Sequence, residues 1–122
     1  MNTLITGGSG LLGGALFDME ELGRRRAPPR SEFDLEAPPE IIPPGSIDLV
    51  FLCAGTKGTE ACEGNRAAFR SDVDGNIRLA RHLLLQGTFV VFVSTDAVEW
   101  ALHTAYARNR FMVELAIGGL PN

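Results

Sequence analysis

The chain has 122 residues, which points to one domain with room for a real core. Hydrophobic residues make up 45% and charged residues 21%, the composition of an ordinary soluble globular chain. A formal net charge of −4 argues against nucleic acid as the main partner, despite the local basic cluster GRRRAPPR, and no apolar run approaches the length of a membrane span.

The N-terminus lacks a basic region followed by a long apolar stretch, so no signal peptide is expected. NTLIT (Asn2 to Thr6) is short, apolar and rich in strand formers, and reads as a buried strand. GGSGLLGG follows, then a helical pattern that sets Leu12, Ala15, Leu16 and Met19 on one face. A short second strand is predicted around Leu22 to Arg26. Residues 24–45 hold six of the seven prolines and are expected to form a loop with little regular structure. IDLVFLCAG (Ile47 to Gly55) reads as a continuous apolar strand ending near Cys53, a buried free thiol. Cys53 and Cys62 make neither a disulfide framework nor a metal motif, which fits a reducing cytoplasm.

The next helix is predicted over Ala67 to Gln86, with Phe69, Val73, Ile77, Ala80 and Leu84 facing the core and Gly87 as its stop. TFVVFVS (Thr88 to Ser94) is another apolar strand, and a last helix runs from Thr104 to Gly118. Strands that alternate with helices and are apolar on both faces predict an α/β fold with a parallel sheet covered on each side.

TGGSGLLG (Thr6 to Gly13) sits directly after a strand and opens a helix, the context that gives a glycine motif meaning. Gly7 allows a tight turn, Gly10 lets the backbone approach a pyrophosphate, and Gly13 lets the helix pack on the sheet. The amides from Ser9 through Leu11 and Leu12 then face the phosphates at a helix N-terminus. The alternative is a glycine-rich turn without a ligand.

The same TGxxGxxG spacing resembles the extended short-chain dehydrogenases/reductases. FDLE, LCAGT, DVDGNIRLA, VSTDAV and AYARNR follow in the order of that family's motifs, with STDAV and the short second-strand region most similar to the dTDP-dehydrorhamnose reductases and their sugar-nucleotide relatives. The resemblance implies a Rossmann-like, doubly wound parallel sheet over residues 1–122, stopping before the sixth strand and the substrate domain. It implies NADP or NAD as cofactor, with Asp34 and Leu35 at the adenine. Cys53, Ala54 and Gly55 would lie under the ribose and pyrophosphate, and Ser94 beside the cofactor. It implies hydride transfer to a sugar-nucleotide carbonyl, with Tyr106 as acid/base, Thr95 polarising the substrate oxygen and Arg110 standing where the family has lysine. Arginine keeps the charge but donates in other directions. Asp72 replaces the usual asparagine, and the segment from Thr95 to Tyr106 is shorter than in the reductases.

An arginine at the end of the second strand can hold a 2′-phosphate, so Arg25, Arg26 or Arg30 would favour NADP; otherwise they form a solvated loop. His82 reads as a packing residue, His103 as a loop residue, and Asp96 as site lining or a helix cap. With no sixth strand, the Thr88 to Ser94 edge is expected to recruit a second copy or a partner protein. Two readings stand: the cofactor-binding part of an oxidoreductase, or a non-catalytic nucleotide-binding or regulatory module of the same ancestry.

Overall fold

The computed structural model describes residues 1–29, 32, 34–35 and 46–120. Within them a four-stranded sheet forms in the order β2-β1-β3-β4: β1 Asn2–Thr6, β2 Arg24–Arg26, β3 Leu49–Leu52 and β4 Phe89–Phe92. All three pairings are parallel, with Thr3 opposite Leu49, Thr6 opposite Leu52 and Leu52 opposite Phe92. Parallel neighbours require crossover segments, and those segments carry the helices. The chain leaves β1 for β2 on one side and returns to β3 on the other, so the direction of winding reverses between β1 and β3.

The first helix, α1 (Leu11–Phe17), is shorter than its apolar pattern suggests, and Leu12, Ala15 and Met19 are exposed. Only Gly13 of α1 is buried, so the helix meets the fold through a residue without a side chain. The second strand is confined to Arg24–Arg26, and its three arginines depart from the apolar pattern of the other strands. Two short helices, α2 (Thr59–Cys62) and α3 (Arg66–Phe69), precede a π-helical turn over Arg70–Gly75 that continues into α4 (Asn76–Leu85). Asn65 starts this run, its side-chain oxygen accepting the Ala68 N–H at 3.0 Å.

The π turn explains a departure from the expected core face. A wider turn breaks the 3.6-residue period, so one stripe cannot be carried through it. Ala68, Val73, Leu79, Ala80 and Leu83 are buried, whereas Phe69 is exposed and Ile77 and Leu84 are half-buried. The core is the layer between this helix and the sheet: Leu4, Val50 and Leu52 against Leu79, Ala80 and Leu83, with Leu35 and Ile47 at its margin. Each such aliphatic side chain contributes about 1.5–3 kcal/mol by burial.

The last helix, α5 (Ala105–Gly118), is capped by Thr104, whose hydroxyl accepts the Ala107 N–H at 3.3 Å. The Glu63 carboxylate accepts the Ala105 N–H at 2.7 Å, placing an anion at the positive end of the helix. α5 packs beside α4, and Ile117 reaches the main core. β4 is the outer strand, with Phe89 70% exposed. No helix among the described residues is long and apolar enough to cross a membrane.

Candidate functional site

The C-terminal ends of all four strands open into one cavity of about 1120 Å³. Its walls are the turn after β1 (residues 6–14), Ala27 to Pro29 after β2, Cys53 to Lys57 after β3, and Val93 and Ser94 after β4. The volume lies just above the usual range for small-molecule and cofactor sites, about 300–1,000 Å³.

The glycine turn is built by close backbone approach. Gly7 has φ +73°, a conformation that side chains resist, and a Cβ there would sit 2.8 Å from the Ala54 backbone. A Cβ on Gly13 would press into the Gly7 carbonyl group and lie 3.0 Å from the Gly8 Cα. Gly10 differs: its backbone is extended (φ −79°, ψ 171°), and a Cβ would meet only the Lys57 ammonium at 3.1 Å and the Gly7 oxygen at 3.3 Å. Gly10 precedes α1 without a side-chain cap, and Ser9, Leu11 and Leu12 line the cavity beside it.

Thr6 joins this turn to β3. Its buried hydroxyl accepts the N–H groups of Cys53 (3.1 Å) and Ala54 (3.2 Å) and donates to the Phe51 carbonyl at 3.5 Å. Asp72, buried in the π turn, holds the next stretch: its carboxylate accepts the Thr56 N–H at 2.9 Å and the Ser71 hydroxyl at 3.0 Å. The segment from Cys53 to Thr56 is thus anchored from both sides, and both anchors line the cavity. At the β2 side, Asp34 and Leu35 line the cavity, and a Cβ on Gly75 would collide with the Leu35 backbone.

Arg110 reaches the floor from α5 and is only 8% exposed. Its guanidinium lies over Gly55, where a Cβ would be 2.9 Å from Cζ. It sits 5.8 Å from the Phe92 ring centroid and 5.6 Å from that of Tyr106, and donates to the Val93 carbonyl at 3.5 Å. Cys53, expected to be buried, is half-buried, whereas Cys62 is buried; burial pushes both thiols above their ordinary value of 9.0. The nearby Arg110 charge opposes that rise at both thiols, while Asp72 and Glu63 reinforce it at Cys62.

Of the catalytic candidates, Tyr106 and Arg110 line the cavity. Thr95 does not line it, and its hydroxyl accepts the Ala97 N–H at 3.3 Å as the cap of a 3₁₀ turn, Asp96–Glu99. Ser94 lines the cavity, and its hydroxyl oxygen is buried without a hydrogen-bond partner among the described residues. Neither Arg25 nor Arg26 is a lining residue. The Arg25 guanidinium is turned back onto the Met19 (2.9 Å) and Gly23 (3.0 Å) carbonyls and the Phe17 ring, while Arg26 is exposed just before the lining segment Ala27 to Pro29. Arg30 lies outside the described residues.

Among the lining residues not read from the sequence as site residues, Thr6, Lys57 and Asp72 bear most on the site. Thr6 opens the TGGSGLLG motif and Lys57 follows LCAGT; Asp72 stood only as a departure from a family pattern.

The fold and the cavity at its strand ends define a Rossmann-like α/β domain. Among solved structures, the chain is similar to dTDP-4-dehydrorhamnose reductase from Bacillus anthracis in complex with NADP, with TM-score 0.81 and 19% identity over 99% of this chain and 50% of that one. It is also similar to a dTDP-4-dehydrorhamnose reductase from Clostridium acetobutylicum (TM-score 0.76, 21% identity, 98% and 50% coverage). A third is RMD from Pseudomonas aeruginosa complexed with NADPH (TM-score 0.66, 19% identity, 94% and 48% coverage). The chain spans about half the length of these structures, and at such identities the likeness is one of fold. No family model and no curated protein matches the sequence.

Proposed function

We infer that this chain is the dinucleotide-binding domain of an NAD(P)-dependent reductase of the sugar-nucleotide type. The observation that carries the reading is the cavity at the β1–β3 reversal, walled by a turn in which Gly7 and Gly13 have no room for side chains and Gly10 lines the cavity beneath the Lys57 ammonium. Similarity in fold to a dTDP-4-dehydrorhamnose reductase in complex with NADP and to RMD complexed with NADPH supports it. The residues fit the cofactor: the Gly7 to Gly13 turn would take the pyrophosphate, Asp34 and Leu35 the adenosine, and Ser94 with the ends of β3 and β4 the nicotinamide half. Arg26, exposed at the end of β2, is the arginine placed to favour NADP. The nicotinamide, when bound, supplies the hydride. The Tyr106 phenol would protonate the carbonyl oxygen of a sugar-nucleotide ketone, with Arg110 supplying positive charge; Thr95, engaged as a cap outside the cavity lining, would have to turn to polarise that oxygen. Two free thiols suit a cytoplasmic protein, and a second copy is the partner proposed for the outer helices.

A non-catalytic nucleotide-binding module is favoured by another observation. The Thr95 hydroxyl serves as a cap, and the Arg110 guanidinium stacks on the Tyr106 ring. Calorimetry with NADP⁺ and NAD⁺ tests the shared core of both readings; no binding of either overturns them. Turnover of sugar-nucleotide ketones with NADPH by the longest natural form separates them. In the enzyme, Tyr106→Phe lowers turnover by about 10²–10⁴ with cofactor affinity retained. In the module there is no turnover to lose, and Arg110→Lys creates none.

A further inference from the structure

Among the described residues two cations line the cavity, Lys57 and Arg110, and both come close to the bare backbone that forms its floor. The Lys57 ammonium stands 3.1 Å from the position a Cβ would take on Gly10, above the open point of the glycine turn. The Arg110 guanidinium covers Gly55, two residues before Lys57 in the same anchored segment. Arg110 is buried, and among the described residues its side-chain hydrogen bond is a long one to the Val93 carbonyl. A buried guanidinium is costly to desolvate, and a phosphate in the cavity would offset that cost. Stacking against Phe92 and Tyr106 holds its planar fork in place, which suits two-point contact with a phosphate. The lining carboxylate Asp72 accepts the Thr56 N–H and the Ser71 hydroxyl.

We propose that Lys57 and Arg110 are the cationic ligands of a diphosphate group lying across Gly55, between the glycine turn and the end of β4. The proposal rests on the nucleotide-site reading and deepens it: the site recognises its ligand chiefly through the diphosphate, so ADP alone is sufficient for binding. Arg110 then acts as a phosphate ligand, beyond any influence on Tyr106.

Calorimetry with ADP, NADP⁺ and adenosine tests this on the wild type, Lys57→Ala and Arg110→Gln, with circular dichroism as the check on folding. Lys57 is exposed, so its substitution leaves the fold intact. Removing either charge is expected to weaken ADP and NADP⁺ binding together by about tenfold or more, because hydrogen bonds to charged groups are the strong ones. The wild-type preference for ADP over adenosine should shrink in both variants and as salt rises. Wild-type binding of ADP with both variants within about twofold of it would overturn the proposal and leave the nucleotide site standing. A wild type that binds neither ADP nor NADP⁺ overturns the nucleotide site and the proposal together.

Discussion

At the scale of single residues, the three glycines of one motif do different work, and substitution separates them. Gly10→Val fits φ −79° and places methyl groups where a ligand must approach, with its Cβ tight against the Lys57 ammonium at 3.1 Å and the Gly7 carbonyl oxygen at 3.3 Å. Its cost in stability is expected to be smaller than that of Gly13→Ala, while dinucleotide affinity disappears, read by urea melts and calorimetry. Gly13→Ala drives a methyl into the Gly7 and Gly8 backbone and should destabilise the fold by about 1–3 kcal/mol. Equal affinity for wild type and Gly10→Val would remove the glycine turn from the site. The thiols give a pH prediction. Their folded pKa values are raised, so the folded state holds protons that the unfolded state has released. Their stabilising contribution is complete below the ordinary value of 9.0 and is lost as pH climbs through the raised values. Urea midpoints should therefore fall as pH rises above the ordinary thiol value of 9.0, and fall less when Cys53 and Cys62 are both alanine.

Among the elements, the π turn connects the core to the site. It carries Asp72, which holds the Thr56 amide, and Gly75, whose bare Cα admits the Leu35 backbone. Gly75→Ala must displace Leu35, because the atoms it meets belong to main chain. The expected result is a loss of about 1–3 kcal/mol in stability and weaker binding of adenine nucleotides, since Leu35 and its neighbour Asp34 line the cavity. A Gly75→Ala variant with unchanged melting and affinity would show that this contact is dispensable.

For the whole molecule, the sheet ends at β4 and the outer face of α5 shows Phe111, Met112 and Leu115, the last 61% exposed. α4 adds Leu85 at the adjoining helix. Exposed apolar side chains on these two helices would be covered in a dimer. A dimer across α4 and α5 is expected by light scattering, with Leu115→Glu shifting it to monomer. A wild type that remains monomeric at high concentration would exclude this association.

What the sequence determined alone are the features that arise within a few residues. Apolar runs at β1, β3 and β4, the tight turn at Gly7 and the helix stop at Gly87 all act locally, so they were legible without coordinates. The parallel α/β arrangement followed from their alternation. The tertiary structure decided which side chains meet across the crossovers. It turned Arg25 onto the Met19 and Gly23 carbonyls, where the strand-end position alone had suggested a 2′-phosphate ligand. It placed a π turn inside the helix, which moved the buried stripe from Phe69 to Ala68. It also brought Lys57 over Gly10 and Arg110 over Gly55. These pairs are joined by register and helix packing between distant segments, and no local periodicity encodes such contacts.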